Sequence, residues 1–365
     1  GTNLSAQSDT LIGNDNANKI EGLAGNDTIE GLAGDDILLG GEGNDVFILR
    51  ANDGIDTVDG GDGSGDIADY SNLTSTQNLT LSLDTSTSVT ATIISGGSTY
   101  TDNIVNIENI KSGAGNDTLT GDAFKNTLWG GAGADILDGG YESDVLYGED
   151  GNDILIGGLG ADILDGGAGD DDLRGGDGDD TLIGGEANEV NGDTVNYSSK
   201  LSALDVNLIN INSITTYATA IIGTEQDSLK EIENIIGTIY NDYIGGDNDK
   251  NILDGGSGSD TIAGLGGNDT LLGGDGDDTF MAGLDNNFLS GQDKIFEDGN
   301  DGSDYIDGGN HTIDAVGTQS SSNSYSGKGD TIDYSALGAT RAIDVNLGLT
   351  SDTAGHTAVS TVTVT

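Results

Sequence analysis

The side chains best placed to do chemistry are carboxylates that recur at every ninth residue. From residue 112 to residue 183 the nine-residue period is unbroken, and at one position Asn126 takes the place of an aspartate. The aspartates of this stretch are Asp117, Asp135, Asp144, Asp153, Asp162, Asp171 and Asp180. Carboxylate oxygens are hard ligands, so aspartates at regular spacing favour a hard divalent cation such as Ca²⁺. Zn²⁺ would favour Cys or His, and the chain has no Cys and only two His.

Each aspartate belongs to a nine-residue unit with a glycine-rich half and an apolar half. In residues 130–138 (GGAGADILD), six turn-forming residues, whose glycines permit positive φ, precede three residues of strand type. One apolar side chain per unit is expected to point inward. These side chains are Leu119, Leu128, Leu137, Leu146, Leu155, Leu164, Leu173 and Leu182.

Two such units complete one coil of a solenoid, and successive coils stack about 4.8 Å apart. Stacking places Asp135 near Asp153 in one column. It places Asp144 near Asp162 in a second column. Carboxylates at that spacing remain ionised only if a cation lies between them, because like charges repel and burial disfavours charge.

The nine-residue pattern occurs in two further blocks. The first block runs from about Leu4 to Ile48 and the third from Gly237 to Met281. The aspartates that keep the phase in these blocks are Asp9, Asp27, Asp36, Asp45, Asp242, Asp260, Asp269 and Asp278, with Asn18 and Asn251 in the remaining places. The absence of Pro is consistent with a continuous hydrogen-bonded ladder, which needs every backbone N–H.

The repeat G-G-x-G-x-D-x-U-x, with U an apolar residue, resembles the calcium-binding nonapeptide of the RTX (repeats-in-toxin, hemolysin-type) family, and the resemblance covers about half of the chain. It implies an all-β fold: a parallel β-roll solenoid in three blocks joined by β-rich inserts. It also implies several Ca²⁺ ions, each held between adjacent turns by the aspartate at position six and by carbonyl oxygens near positions one and three. The implied aspartate ligands are Asp27, Asp36, Asp45, Asp117, Asp135, Asp144, Asp153, Asp162, Asp171, Asp180, Asp242, Asp260, Asp269 and Asp278. The implied carbonyl donors include Gly130, Ala132, Gly148 and Asp150.

The overall charge supports the need for a counter-ion. The chain has 64 acidic and 11 basic side chains, a formal net charge of −53, and 34 % hydrophobic residues. This composition is typical of disordered chains unless cations neutralise the fold. The same charge argues against nucleic acid and anionic membranes as partners. The sequence contains no run of about 18 apolar residues, which insertion into a membrane would need, and no signal peptide opens it.

Two recurring motifs mark the segments between the blocks. Tyr-Ser motifs occur at residues 69–71, 196–198 and 333–335, and the sequence Ile-Glu-Asn-Ile occurs at residues 107–110 and 232–235. We predict a first block at 1–68, an insert at 69–111, a second block at 112–190, an insert at 191–236, a third block with an irregular end at 237–333, and the start of a third insert at 334–365. The third insert is cut short relative to the others, so we expect the parent polypeptide to continue or this chain to be a piece of it.

No catalytic constellation is recognisable, so we expect no enzymatic activity. The chain lacks H-E-x-x-H, the motif of RTX metalloproteases, and G-x-S-x-G, the motif of RTX lipases. His311 and His356 are expected to be surface residues. The long amphipathic helices of pore-forming RTX toxins are also missing.

The outer faces of the solenoid leave three interpretations open. Alternate units lie in opposite sheets, so Trp129, Tyr147, Asp165 and Ile183 are expected to align on one outer face, with Ile136, Ile154 and Ile156 on the other. The aromatic pair is covered by a β-rich insert, forms a lateral contact, or offers a platform for carbohydrate.

These observations predict an extracellular, calcium-dependent structural or adhesive protein, such as a surface-layer, filament or matrix component, that folds and assembles on binding Ca²⁺. Its partners would be calcium ions and copies of itself or other surface components. The alternative is a calcium-folding, secretion-assisting RTX module of a larger secreted hydrolase or toxin whose active domain lies outside this chain. Both hypotheses place the chain outside the cell or on a bacterial cell surface, after type I secretion.

Overall fold

The computed structural model describes residues 7–84, 87–185, 187–208, 217–265, 269–276 and 278–281, together with the strand backbones at 294–296, 305–307, 313–315 and 330–333. These residues form strands and turns, with no helix among them. Within them, no segment offers a long apolar helix for crossing a membrane. The predicted insert at 334–365, together with His311 and His356, lies outside the described residues.

The chain divides into two units, Gly1–Asp193 and Thr194–Thr365. The strands of the first unit are β1 Thr10–Ile12, β2 Lys19–Ala24, β3 Thr28–Glu30, β4 Ile37–Glu42, β5 Val46–Ile48, β6 Thr57–Asp62, β7 Ile67–Asp69, β8 Gln77–Ser82, β9 Val89–Ser95, β10 Ser98–Val105, β11 Asn109–Lys111, β12 Thr118–Thr120, β13 Thr127–Ala132, β14 Ile136–Tyr141, β15 Val145–Asp150, β16 Ile154–Leu159, β17 Ile163–Ala168, β18 Asp172–Asp177 and β19 Thr181–Ile183. The strands of the second unit are β20 Thr194–Asn196, β21 Leu204–Asn207, β22 Ala218–Ile222, β23 Glu225–Lys230, β24 Asn234–Ile236, β25 Tyr243–Gly245, β26 Ile252–Asp254, β27 Thr261–Ala263, β28 Thr270–Leu272, β29 Thr279–Met281, β30 Lys294–Phe296, β31 Tyr305–Asp307, β32 Ile313–Ala315 and β33 Asp330–Asp333.

In the first unit the nine-residue units of each block alternate between two sheets, which confirms the predicted solenoid. Sheet 1 has the order β1-β3-β5-β7-β11-β13-β15-β17-β19, and every pair in it is parallel. Sheet 2 contains β2-β4-β6 and β12-β14-β16-β18, also parallel. Leu137 pairs with Leu155 and Leu146 with Leu164, so two nine-residue units make one coil.

The first insert continues the solenoid. Strands β8, β9 and β10 form an antiparallel meander that lies inside sheet 2, between β6 and β12. Meanwhile β11 pairs directly with β7 in sheet 1. The parallel ladder therefore continues across the insert on both faces.

The second unit repeats this arrangement. One of its sheets has the order β20-β24-β26-β28-β30-β33-β32. The other has the order β23-β22-β21-β25-β27-β29-β31, in which β21, β22 and β23 are antiparallel. The bounds of the six segments derived from the sequence remain predictions.

The strands of the central block are longer than the three residues expected from the sequence. Strands β13 to β18 each span six residues, because backbone pairing continues through positions one to three of the next unit. Gly131 pairs with Glu149 and Ala132 with Asp150 in this extension. The tight turn is therefore confined to about three residues, beginning near Gly133, whose φ of 141° favours glycine.

The core is a single-file arrangement, in which each strand of a sheet contributes one fully buried apolar side chain per nine-residue unit. The eight leucines predicted to point inward have no exposed surface. The flanking positions of each strand face outward and are half-buried or exposed, which is the alternation expected of a strand with one buried face.

We expect Leu146→Ala to destabilise the calcium-saturated protein by about 2–5 kcal/mol, because the change leaves a cavity among fully buried leucines. Leu159→Ala is the matched control, since Leu159 is 44 % exposed and its loss should cost about 0.5 kcal/mol or less. Urea unfolding of both variants at constant calcium measures the difference. Equal destabilisation by the two changes would contradict the single-file core.

Candidate metal centre

The fourteen aspartates predicted as ligands are all buried, with exposed fractions of 0–3 %. Each stands at position six, where the turn ends and the strand begins. Burying so many carboxylates without a compensating partner is strongly unfavourable. Most of them are brought together in the two predicted columns, which begin in the first block and recur in the second.

One oxygen of each carboxylate supports the fold. The N–H of Asp135 donates to Oδ1 of Asp153 at 2.7 Å, and the N–H of Asp153 donates to Oδ1 of Asp171 at 2.7 Å. In the second column, the N–H of Asp144 donates to Oδ1 of Asp162 at 2.8 Å. The same bonds join Asp27 to Asp45, Asp162 to Asp180, Asp242 to Asp260 and Asp260 to Asp278.

The second carboxylate oxygen, Oδ2, takes no part in these hydrogen bonds between coils. It is buried and has no hydrogen-bond partner in the protein at nine of the predicted ligands. These are the Oδ2 atoms of Asp27, Asp36, Asp45, Asp135, Asp144, Asp153, Asp162, Asp171 and Asp260. An unpaired buried anionic oxygen is costly, and a cation held by oxygen ligands is the chemistry that satisfies it.

A glycine at position one keeps the space beside this oxygen open. A methyl group on Gly130 would lie 2.6 Å from Oδ2 of Asp135 and 2.9 Å from the carbonyl oxygen of Gly148 in the next coil. Gly139 is placed in the same way, with a methyl group 2.5 Å from Oδ2 of Asp144. Neither glycine has the positive φ that would explain its choice. Glycine is needed here because a carboxylate and a carbonyl oxygen converge on the place of its missing side chain.

The four predicted carbonyl donors occupy this same neighbourhood. The carbonyl of Gly148 borders the space, and Gly130 provides the opening. The carbonyl oxygen of Asp150 accepts a hydrogen bond from the N–H of Gly133 at 2.7 Å, so it has one further lone pair for a cation. Ala132 is the Cα partner of Asp150 in the adjacent coil. The residues present fit a calcium ion, although their individual roles as ligands remain predictions.

Without a cation these carboxylates hold protons unusually tightly. Burial raises the pKa of Asp153 to about 8 and the pKa values of Asp135 and Asp144 to about 7. The ladder hydrogen bond to each carboxylate opposes this rise, and neighbouring carboxylates add to it. At neutral pH the metal-free ladder is therefore balanced between protonation and charge repulsion.

The first two units of the second and third blocks satisfy their ladder residues without a cation. The hydroxyl of Ser112 donates to Oδ2 of Asp117. In the third block, the N–H of Thr238 donates to Oδ2 of Asp242 at 2.6 Å. Asp117 and Asp242 thus lie in the columns, but a protein donor reaches the oxygen that is unpaired elsewhere.

In the second unit of each of these blocks, an asparagine takes the place of the ladder aspartate, and its side-chain amide donates to a backbone carbonyl. Nδ2 of Asn126 donates to the carbonyl oxygen of Glu108 at 2.7 Å. Nδ2 of Asn251 donates in the same way to Glu233 at 2.8 Å. The glutamates belong to the two Ile-Glu-Asn-Ile motifs, which therefore mark the place where a block attaches to the insert before it.

Sequence reasoning missed several acidic residues that continue the columns. The N–H of Asp36 donates to Oδ1 of Asp56 at 2.9 Å, and the N–H of Asp56 donates to Oδ1 of Asp102 at 3.0 Å. In the other column, Asp45 is followed by Asp66. These residues break the nine-residue phase, and the remaining signal is a buried apolar residue two places after each aspartate, as at Val58, Ala68 and Ile104. Asp193, with Val195 two places later, extends the column of Asp171 in the same way.

The outer aromatic column forms as expected on sheet 1. Trp129 pairs with Tyr147, Tyr147 with Asp165, and Asp165 with Ile183. The two aromatic rings stack with centroids 5.9 Å apart and planes 12° from parallel. Both remain half-exposed, and strands β8 to β10 of the first insert lie in the opposite sheet rather than over them.

Comparison with protein families agrees with this geometry. A model of the RTX calcium-binding nonapeptide repeat, which describes four copies of the repeat, matches residues 7–47, 48–64, 112–146, 137–164, 165–190, 231–262 and 254–289. These segments cover more than half of the chain. RTX nonapeptide repeats bind Ca²⁺, and the buried aspartate columns fit multiple sites. A search of curated proteins finds no match.

We expect Asp153→Asn to reduce the number of tightly bound calcium ions by at least one. The amide retains an acceptor for the N–H of Asp135 but removes the anionic oxygen beside Gly148. The loss of one site occupied at ten times its Kd should cost about 1.4 kcal/mol. Native mass spectrometry counts the ions, and urea unfolding in calcium measures the stability.

Asp150→Asn is the control for this experiment. The side chain of Asp150 is exposed, and its implied contribution comes from the backbone carbonyl, which the substitution retains. An unchanged calcium count in both variants would remove Asp153 from the set of ligands.

The raised pKa values predict opposite pH dependences with and without calcium. An aspartate whose pKa is higher in the fold than in the unfolded chain stabilises the fold below the unfolded pKa, near 4, and this stabilisation is lost as pH rises towards 7–8. In EGTA, the folded fraction of the chain should therefore fall between pH 5 and pH 8 and be small at the upper end. In saturating calcium the folded fraction should not fall over this range, because fewer protons compete for the sites. Circular dichroism that shows the same calcium-induced increase in folded fraction at pH 5 and at pH 8 would refute this coupling.

Proposed function

The chain belongs to the RTX calcium-binding nonapeptide-repeat family, and we propose that it is an extracellular structural or adhesive protein that folds and assembles when calcium binds. A surface-layer, filament or matrix component is the class that we favour. We further propose that the chain has no enzymatic activity of its own, since the sequence contains neither of the RTX hydrolase motifs.

The observation that carries this proposal is the row of buried, unpartnered carboxylate oxygens. The metal-free fold must either protonate these oxygens or tolerate their repulsion, and calcium removes both costs. Extracellular calcium modules bind with Kd of about 0.1–1 mM, so calcium occupies them outside the cell and leaves them largely empty in a calcium-poor cytosol. RTX repeats are typical of secreted bacterial proteins, and an unfolded acidic chain suits export through a narrow channel.

Apolar side chains on the outside of sheet 2 support assembly. Tyr141 and Leu159 are Cα partners in adjacent strands and are 58 % and 44 % exposed. Ile136, in the same strand as Tyr141, is 43 % exposed. The adjacent exposed side chains of Tyr141 and Leu159 on so acidic a surface favour a lateral contact with another protein surface.

The alternative function is a calcium-folding module of a larger secreted hydrolase or toxin. Family membership supports it, because RTX repeats also accompany catalytic domains. The full reading frame around these residues discriminates the two proposals. A catalytic domain beside them would favour the module, and further copies of the same repeating unit would favour the structural protein.

Folding is tested by far-UV circular dichroism of the chain in millimolar calcium and in EGTA. We expect a β spectrum with a cooperative melt in calcium and a largely disordered spectrum in EGTA. Magnesium at the same concentration is the control, because it keeps its waters and fits such carbonyl-rich sites poorly. The same spectrum and melting temperature in calcium and EGTA would overturn calcium-driven folding.

Assembly is tested by electron microscopy and sedimentation velocity under the same two conditions. We expect fibres, sheets or discrete oligomers in calcium that disperse on chelation. The double variant Tyr141→Ser, Leu159→Ser should weaken assembly at least tenfold, whereas Ile94→Ser, which removes an apolar side chain 52 % exposed on β9, should not. Monomers in both conditions would leave calcium-driven folding standing but count against a structural role.

A further inference from the structure

The stacked rings of Trp129 and Tyr147, here called the aromatic pair, adjoin a cleft on the outer surface of sheet 1. Lys111 is the Cα partner of Trp129 in the neighbouring strand β11, about 4.8 Å away, and it lines the cleft. Gly131 and Glu149, which also line the cleft, follow the two aromatic residues by two positions on strands β13 and β15. Two residues of a strand span about 7 Å, so one ligand can contact the aromatic pair and the cleft together.

The cleft has the size of a small-molecule site. Its volume is about 440 Å³, within the range of about 300–1,000 Å³ that is usual for ligand pockets. Gly113 and Gly131 line it with backbone, and Ser71, from the first Tyr-Ser motif, adds a hydroxyl group. All of the lining residues belong to the first unit.

The polar groups of the cleft carry both signs of charge. Lys111 is half-buried and forms no ion pair with any residue that the structure describes, in a chain with only 11 basic side chains. Its ammonium group therefore has donors available for a ligand. Glu149 and Asp150 are exposed and contribute carboxylate acceptors. The cleft thus offers donors and acceptors together, next to two half-exposed aromatic rings.

The nine-residue repeat does not require these side chains. Lys111 directly follows the first Ile-Glu-Asn-Ile motif, and Ile236 directly follows the second. In the second unit, Asp254 is the Cα partner of Ile236, and Leu272 is the partner of Asp254. The same ladder thus forms with Ile, Asp and Leu where the first unit has Lys, Trp and Tyr. Coil packing therefore leaves the lysine and the aromatic pair available to recognise a ligand.

We propose that the aromatic pair and the cleft bind a neutral saccharide chain. A pyranose ring packs its C–H face on an exposed aromatic ring, and its hydroxyl groups both accept from an ammonium group and donate to carboxylates. A neutral chain escapes the repulsion that a net charge of −53 exerts on anionic polymers. Such binding goes beyond the proposed function, since it needs the folded roll but not its assembly through sheet 2.

Tryptophan fluorescence reports on this site alone, because Trp129 is the only tryptophan of the chain. The full chain in millimolar calcium is titrated with cellohexaose, maltohexaose, chitohexaose and mannohexaose as neutral probes, and with a hyaluronan hexasaccharide as the anionic probe. We expect a saturable fluorescence change with at least one neutral probe, and at least tenfold weaker binding of hyaluronan. If none of the four neutral probes changes the fluorescence or gives a heat of binding, the site is overturned. Equally tight binding of hyaluronan would overturn its preference for neutral chains.

Lys111→Ile and Tyr147→Leu test which side chains bind. The second unit carries Ile236 and Leu272 at the equivalent places, so both substitutions are compatible with the ladder, and both retain the Trp129 reporter. Each should weaken saccharide binding at least tenfold without changing the circular dichroism spectrum in calcium.

Lys125→Ile and Tyr240→Leu are the matched controls. Both side chains are exposed, lie outside the strands and do not line the cleft, so these variants should bind the saccharide as the parent chain does. Unchanged affinity in both Lys111→Ile and Tyr147→Leu would overturn the site. Loss of calcium-dependent assembly in Tyr147→Leu, with no saccharide bound by the parent chain, would make the aromatic pair a contact between protein chains instead. A parent chain without β structure in calcium would overturn the proposed calcium-driven folding, whereas a folded chain that binds no saccharide would overturn only the site.

Discussion

The structure depends on the division of labour between the two oxygens of each ladder carboxylate. Oδ1 accepts a backbone N–H from the preceding coil and belongs to the fold, as between Asp135 and Asp153. At nine of the predicted ligands, Oδ2 is buried without a protein partner, and a glycine keeps the space beside it open. The fold thus assembles an array of anionic oxygens that only a cation can satisfy at low cost. Calcium binding fits that geometry, because the same side chain that aligns the coils also supplies the negative charge.

The ladder does not depend on cations uniformly. In the second and third blocks, the first aspartate meets a donor from Ser112 or Thr238, and the next unit carries an asparagine whose amide bonds to the Ile-Glu-Asn-Ile motif. Each of these blocks therefore begins with two steps that are complete by protein hydrogen bonds alone. Later steps, such as those at Asp135, Asp144 and Asp260, leave a carboxylate oxygen unpartnered.

The inserts are part of the same ladder. In both units a three-stranded antiparallel meander enters one sheet, while the other sheet stays parallel across the junction. Asp66, Asp102 and Glu108 carry the columns over this interruption. A solenoid can tolerate a segment of some forty residues here because backbone pairing and the carboxylate column resume in register on its far side.

The sequence by itself determined the coil, the inward leucines and the chemistry of the cation, because a nine-residue period repeats the same local turn and strand and needs no distant information. It also placed Asp117 and Asp242 among the ligands, without showing that Ser112 and Thr238 donate to them. Only the tertiary structure decided which oxygen serves the fold and which is left for a cation. It alone brought Asp56 to Asp102 and Asp66 to Glu108, since partners 46 and 42 residues apart are set by sheet pairing across the insert. Period and composition fix what each unit does locally, whereas contacts across an irregular segment depend on how the chain closes in space.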